Sequence, residues 1–100
     1  MTQEVEYVDQ VGDLYFRAIH LSQVGDMVPQ HIHDYDHVTL VCAGAVRMVV
    51  DGEAVGDFKA FRAVTITANK LHLFQALEPD TRLACVHILK DGEPYSLTKG

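Results

Sequence analysis

The stretch GDMVPQHIHDYDHVTLVCAG, residues 25–44, carries three histidines within seven positions and a glycine at each end. His31 and His33 stand at i and i+2, so on a strand both imidazoles point to one face. Their Cα atoms would be about 6–7 Å apart, close enough for both rings to meet one ion at ~2.1 Å. Asp34-Tyr35-Asp36 supplies a turn, since short polar side chains bond to their own backbone there. His37 then opens HVTLVCA, whose β-branched and aliphatic residues read as a strand.

Outward from this stretch the same texture repeats. Short runs of β-branched, aromatic and aliphatic residues are broken by turn signals. The runs are Leu14–Leu21, Val28–His33, His37–Ala43, Ala45–Val50, Glu53–Asp57, Ala63–Thr67, His72–Leu77 and Arg82–Leu89. Asp51-Gly52 is a two-residue hairpin signal, because both turn positions require positive φ. No run repeats with the 3.6-residue period of a helix. Eight or so short strands with tight turns predict an all-β sandwich or barrel. A fourth histidine, His72, begins one of these strands after the Asn69-Lys70 turn. The first few residues and Ser96 to Gly100 carry no such pattern.

At 100 residues the chain makes one domain, and 48% hydrophobic residues suffice for a single core. The formal net charge is -6, with only eight scattered Lys and Arg. That excludes an electrostatic grip on nucleic acid or anionic lipid, which needs clustered cations. No apolar run approaches the ~20 residues of a membrane span. The acidic start, MTQEVEYVDQ, lacks the basic-then-apolar order of a secretory signal, so a cytoplasmic location is expected. Cys42 and Cys85 lie in apolar runs and are expected to be buried thiols rather than a disulfide.

The spacing of residues 25–44 resembles the first motif of the cupin superfamily, G-x5-H-x-H-x3,4-E-x6-G. Gly25, His31, His33 and Gly44 all fit, and His37 stands where the family usually has Glu. The second motif, G-x5-P-x-G-x2-H-x3-N, is degraded. Thr67 replaces Pro, Asn69 replaces Gly, Phe61 replaces the leading Gly and Ala76 the final Asn, while His72 holds the histidine position. Asn tolerates the left-handed conformation that the Gly would supply. The resemblance implies a single-domain double-stranded β-helix, a jelly-roll barrel, with its core over about residues 14–89. It also implies one divalent metal ion inside, held by His31, His33, His37 and His72. The ion would be Fe, Mn, Ni, Zn or Cu.

Replacing Glu by neutral imidazole would leave the site near the metal's own +2 charge, favouring anionic ligands and a more acidic bound water. Four ligands on one side of an octahedron would leave two cis positions for a small-molecule substrate. Four closing a tetrahedron would make the ion structural. The expected functions are a metal-dependent dioxygenase on a small organic substrate, an isomerase or lyase, or a non-catalytic metal- and ligand-binding module. Strand parity puts Thr39, Val41, Phe74 and Met48 on the pocket walls. It leaves His20 and His87 open between an inward role beside the site and a surface one. Asp34 and Asp36 are read as turn formers. A homodimer is expected, with Gln3 to Val8 covering or exchanging an edge strand.

An imidazole must be neutral to ligate, so acid should empty this site. Dialysis through stepped pH, with metal content read by elemental analysis, is expected to show release at about pH 5–6. A full equivalent kept at pH 4 would contradict the assignment.

Overall fold

The computed structural model describes residues 4–31 and 36–88, with side chains placed for 6–28 and 36–88. His33, Asp34, the side chain of His31 and both chain ends lie outside the described residues. Nine strands are described: β1 (Glu4–Val11), β2 (Leu14–Leu21), β3 (Met27–His31), β4 (His37–Ala43), β5 (Ala45–Val50), β6 (Glu53–Lys59), β7 (Ala63–Ile66), β8 (His72–Ala76) and β9 (Thr81–Ile88). They form two antiparallel sheets, ordered β1-β2-β9-β4-β7 and β3-β8-β5-β6. This is the expected all-β jelly-roll barrel. Seven of the anticipated runs fall within one or two residues of a strand. The eighth ends at His31, where the described chain stops. β1 extends the segment anticipated as an edge cover and pairs with β2 of its own chain.

Alternation decides which residues face the barrel. On β2 the odd positions Tyr15, Arg17, Ile19 and Leu21 are buried, and on β8 His72, Phe74 and Ala76. Ile19, Leu21, Val28, Val41, Val46, Phe74 and Leu83 are buried almost completely and form one cluster between the sheets. Burying each large side chain is worth about 1.5–3 kcal/mol, so this cluster holds the sheets face to face.

The chain changes sheet at Gly44, between β4 and β5. Gly44 has φ 77°, a left-handed conformation that side-chain-bearing residues resist. A Cβ there would meet Thr81 Oγ1 and lie 2.9 Å from Thr81 Cα. Thr81, itself buried, accepts from Ala45 N at 3.3 Å and donates to the Glu78 carbonyl at 2.9 Å. One hydroxyl thus joins β9 in the first sheet to β5 in the second. Asp51 and Gly52 have φ 50° and 85°, and Asn69 has φ 63°, so both the hairpin and the Asn-for-Gly turn take their anticipated forms.

Gly44→Ala is expected to lower stability by about 2–4 kcal/mol, since strain and collision add. Gly12→Ala is expected to cost about 1 kcal/mol: φ there is 62° but nothing lies within 4 Å of the added carbon. Urea melts of both variants check the difference.

Candidate functional site

Two of the four anticipated ligands have described side chains, and the fold brings them together from opposite sheets. His37 opens β4 and His72 opens β8; they are 7% and 1% exposed. Their ring centroids are 5.1 Å apart, with the planes inclined at 47°. Two imidazoles sharing one ion at ~2.1 Å in neighbouring coordination positions would hold their centroids about 5 Å apart. The separation found fits such a pair.

The tautomer of His72 follows from one contact. Its Nδ1 lies 3.1 Å from the Lys70 carbonyl, which can only accept, so Nδ1 carries the proton. In the neutral ring the lone pair is then on Nε2, a buried atom. Fixing a ligand's second nitrogen in this way is how proteins orient metal-binding imidazoles. Backbone pairing places His72 between His31 on β3 and Val50 on β5. His31 and His72 are therefore adjoining positions of neighbouring strands. Among the described residues no group of three His, Cys, Asp or Glu side chains gathers as a metal site; the side chains of His31 and His33 are not among them.

The loops leading into the two histidines are braced. Asp36, next to His37, accepts from Ala68 N at 2.6 Å, tying the entry of β4 to the turn before β8. Asp36 is thus a loop brace, in keeping with its reading as a turn former. Asp51 holds the same turn from the other side. Its amide donates to the Leu71 carbonyl at 2.7 Å, and its carboxylate accepts from Leu71 N at 3.1 Å.

Further inner positions surround the pair. Thr39 is fully buried and lies 3.5 Å, Oγ1 to Sγ, from Cys85. Cys85 pairs across β2 with Arg17, giving a row Arg17–Cys85–Thr39 across three strands. The next row holds Tyr15 and His87, whose rings lie 5.2 Å apart. His87 is buried on the inner face, whereas His20 is on the outer face of β2, 3.0 Å from Asp80. Thr39, Val41, Met48 and Phe74 are buried as anticipated. Arg17 and Tyr15 were not singled out in the sequence. The available signal was an arginine in the inward parity of LYFRAIHL. A separate surface hollow of about 470 Å³, between Ala45, Asp57, Lys59, Arg62, Leu77 and Glu78, lies at the far end of β8 from His72.

No family model matches the sequence, and no curated protein matches it. Solved structures do. The chain is similar to an RmlC-like cupin with a double-stranded β-helix fold from Methanocaldococcus jannaschii, at 19% identity and a TM-score of 0.74, covering 87% of this chain and 80% of that one. It is similar to KdgF from a Halomonas species, at 22% identity and a TM-score of 0.69, covering 84% and 74%. A cupin-2 domain protein from Shewanella frigidimarina gives 16% identity and a TM-score of 0.68, covering 85% and 82%. At these identities the likeness shows the fold: this chain folds as the double-stranded β-helix of those cupin structures. No helix among the described residues is long and apolar enough to cross a membrane.

Both cysteines are free. Burial pushes the Cys85 thiol up from its ordinary value, against smaller opposing effects of the Thr39 hydrogen bond and the Arg17 charge. The thiolate, which is the reactive form, is therefore scarce at neutral pH. Iodoacetamide at pH 8 is expected to label Cys85 at least tenfold more slowly than a free thiol peptide, as read by peptide mass spectrometry, and to reach the peptide's rate on unfolding in urea.

Proposed function

We propose that this cupin barrel holds one divalent transition metal with His31, His33, His37 and His72 and turns over a small organic molecule there, as a dioxygenase-type oxidoreductase. The observation that carries the reading is the meeting of His37 and His72. Two buried imidazoles from opposite sheets stand 5.1 Å apart, and the Lys70 carbonyl takes up Nδ1 of His72, leaving Nε2 as the nitrogen to offer an ion. Burying two imidazoles side by side forgoes their hydration, and a shared ion offsets that loss. His31, in backbone register with His72, extends the set on β3.

When bound, a metal with neutral ligands supplies Lewis-acid chemistry and, if iron or manganese, a partner for oxygen. The protein's own groups do the rest. Phe74 and Met48 give the interior apolar walls that limit water. Tyr15 and His87, inside the barrel one row from Arg17, are groups able to hold or pass a proton. A purely structural ion needs neither, which supports a catalytic role over a non-catalytic module. Isomerase or lyase chemistry on the same residues is the second reading, as proton-transfer groups serve it equally. The homodimer belongs to the same proposal: Leu14, Val38 and Ile88 expose apolar surface on the outer face of one sheet.

Elemental analysis of protein from its native host is expected to show about one transition-metal equivalent, falling at least fivefold in His37→Ala and His72→Ala. Oxygen uptake with diketone- and catechol-like substrates should follow metal content. Metal-free protein from the native host, or unchanged metal in both variants, would defeat the assignment. Metal without oxygen uptake across the panel would favour the isomerase or lyase reading.

A further inference from the structure

Arg17 is 8% exposed on the inner face of β2, between Tyr15 and Ile19. Its Nε is buried and makes no hydrogen bond. Among the described residues no carboxylate lies within ion-pair distance of it: Glu6, Asp57, Asp80 and Asp51 pair with Arg82, Arg47, His20 and Lys70. Asp26, a buried acid, is held by Ser22 and the Gln23 amide at the entry to β3. A guanidinium cannot shed its proton to escape burial. A lone buried cation destabilises a fold unless something neutralises it. Its neighbour across the strand is the Cys85 thiol, which stays protonated and offers no charge.

We propose that Arg17 is the anchor for the carboxylate of a small organic acid bound inside the barrel. The planar fork of a guanidinium matches a carboxylate with two parallel hydrogen bonds. One such cation balances one carboxylate, whereas a phosphate dianion calls for more positive charge than this row of Arg17, Cys85 and Thr39 provides. Arg17 stands two strands across and one row along from His37, about 10 Å across and 7 Å along the backbone. A molecule of a few carbons is the size that would bridge side chains reaching inward from those positions. The acid's other end then faces the histidines, and this part of the proposal rests on the metal reading above. The Arg17 contact itself does not need the metal.

The test measures thermal shifts and affinities of acetate, pyruvate and benzoate against acetamide and benzamide, on chelator-treated protein. Inorganic phosphate is a further arm. The acids are expected to stabilise wild-type protein and the amides to leave it unmoved. Arg17→Met should weaken acid binding at least about tenfold, the range for a lost charged hydrogen bond, and melt no lower than wild type without ligand. Arg17→Lys, which keeps the charge but not the fork, should bind acids with intermediate affinity. Equal response to acids and amides, phosphate bound more tightly than the acids, or acid affinity undiminished in Arg17→Met would each overturn the proposal. So would unfolding of both variants, which would make Arg17 a structural residue. His72→Ala separates the two readings: chelator-treated His72→Ala should keep the acid response while failing to load metal. Wild-type protein that binds acids but no metal would sink the metal site alone.

Discussion

The crossing of the chain at Gly44 is the constraint on which the rest of the barrel depends. β4 and β5 are separated by one residue yet lie in different sheets. Only a left-handed turn without a side chain lets the backbone fold so tightly against Thr81. The Thr81 hydroxyl then fastens the two sheets at this corner. With the corner fixed, the registers of β4 and β8 determine that His37 and His72 face one another across the interior. The histidine pair is in this sense set by a glycine seven residues away from one of its members.

Much of this was legible in the sequence, for identifiable reasons. Strand limits followed from β-branched runs between turn residues. The Asp51-Gly52 hairpin and the Asn69 turn followed from residues that accept positive φ. Inward positions on β4, β5 and β8 followed from parity, because polar residues such as Arg47 and Gln75 mark the outer face. On β2 parity was not decisive. LYFRAIHL mixes apolar residues with one basic residue in each phase, Arg17 inward and His20 outward, and Phe16 on its outer face packs beside Tyr7 of β1, ring centroids 5.9 Å apart. A strand with the same mixture on both faces lacks the polar marker that tells inside from outside. For that reason His20 stayed undecided and Arg17 passed unnoticed. The likeness of His37 to a motif Glu gave the position but no orientation; the Lys70 carbonyl that sets the His72 tautomer is a matter of backbone path, which no spacing rule records.

The electrostatics of the interior run in one direction. His37 and His72 bring no formal negative charge, and Arg17 brings a positive one. Of the described acids, Glu6, Asp51, Asp57 and Asp80 pair with other side chains on the surface and Asp26 is held at the Ser22 corner. If the interior admits a ligand as proposed, that balance favours an anionic one. The low polarity of Phe74, Met48 and Val41 strengthens that selection, because charge acts over longer range where water is scarce.

The inner face is also graded along its length. Leu21, Val46, Ala76, Leu83 and Thr81 crowd the end where the sheets are fastened, while Tyr15, Arg17, His37, His72 and His87 gather toward the other. Hydrocarbon packing and polar side chains thus occupy different floors of one small building. Replacing one of these polar side chains removes little of the packed hydrocarbon that keeps the barrel closed. A 100-residue barrel arranged this way can exchange the polar side chains at one end and inherit its shape unaltered from the other.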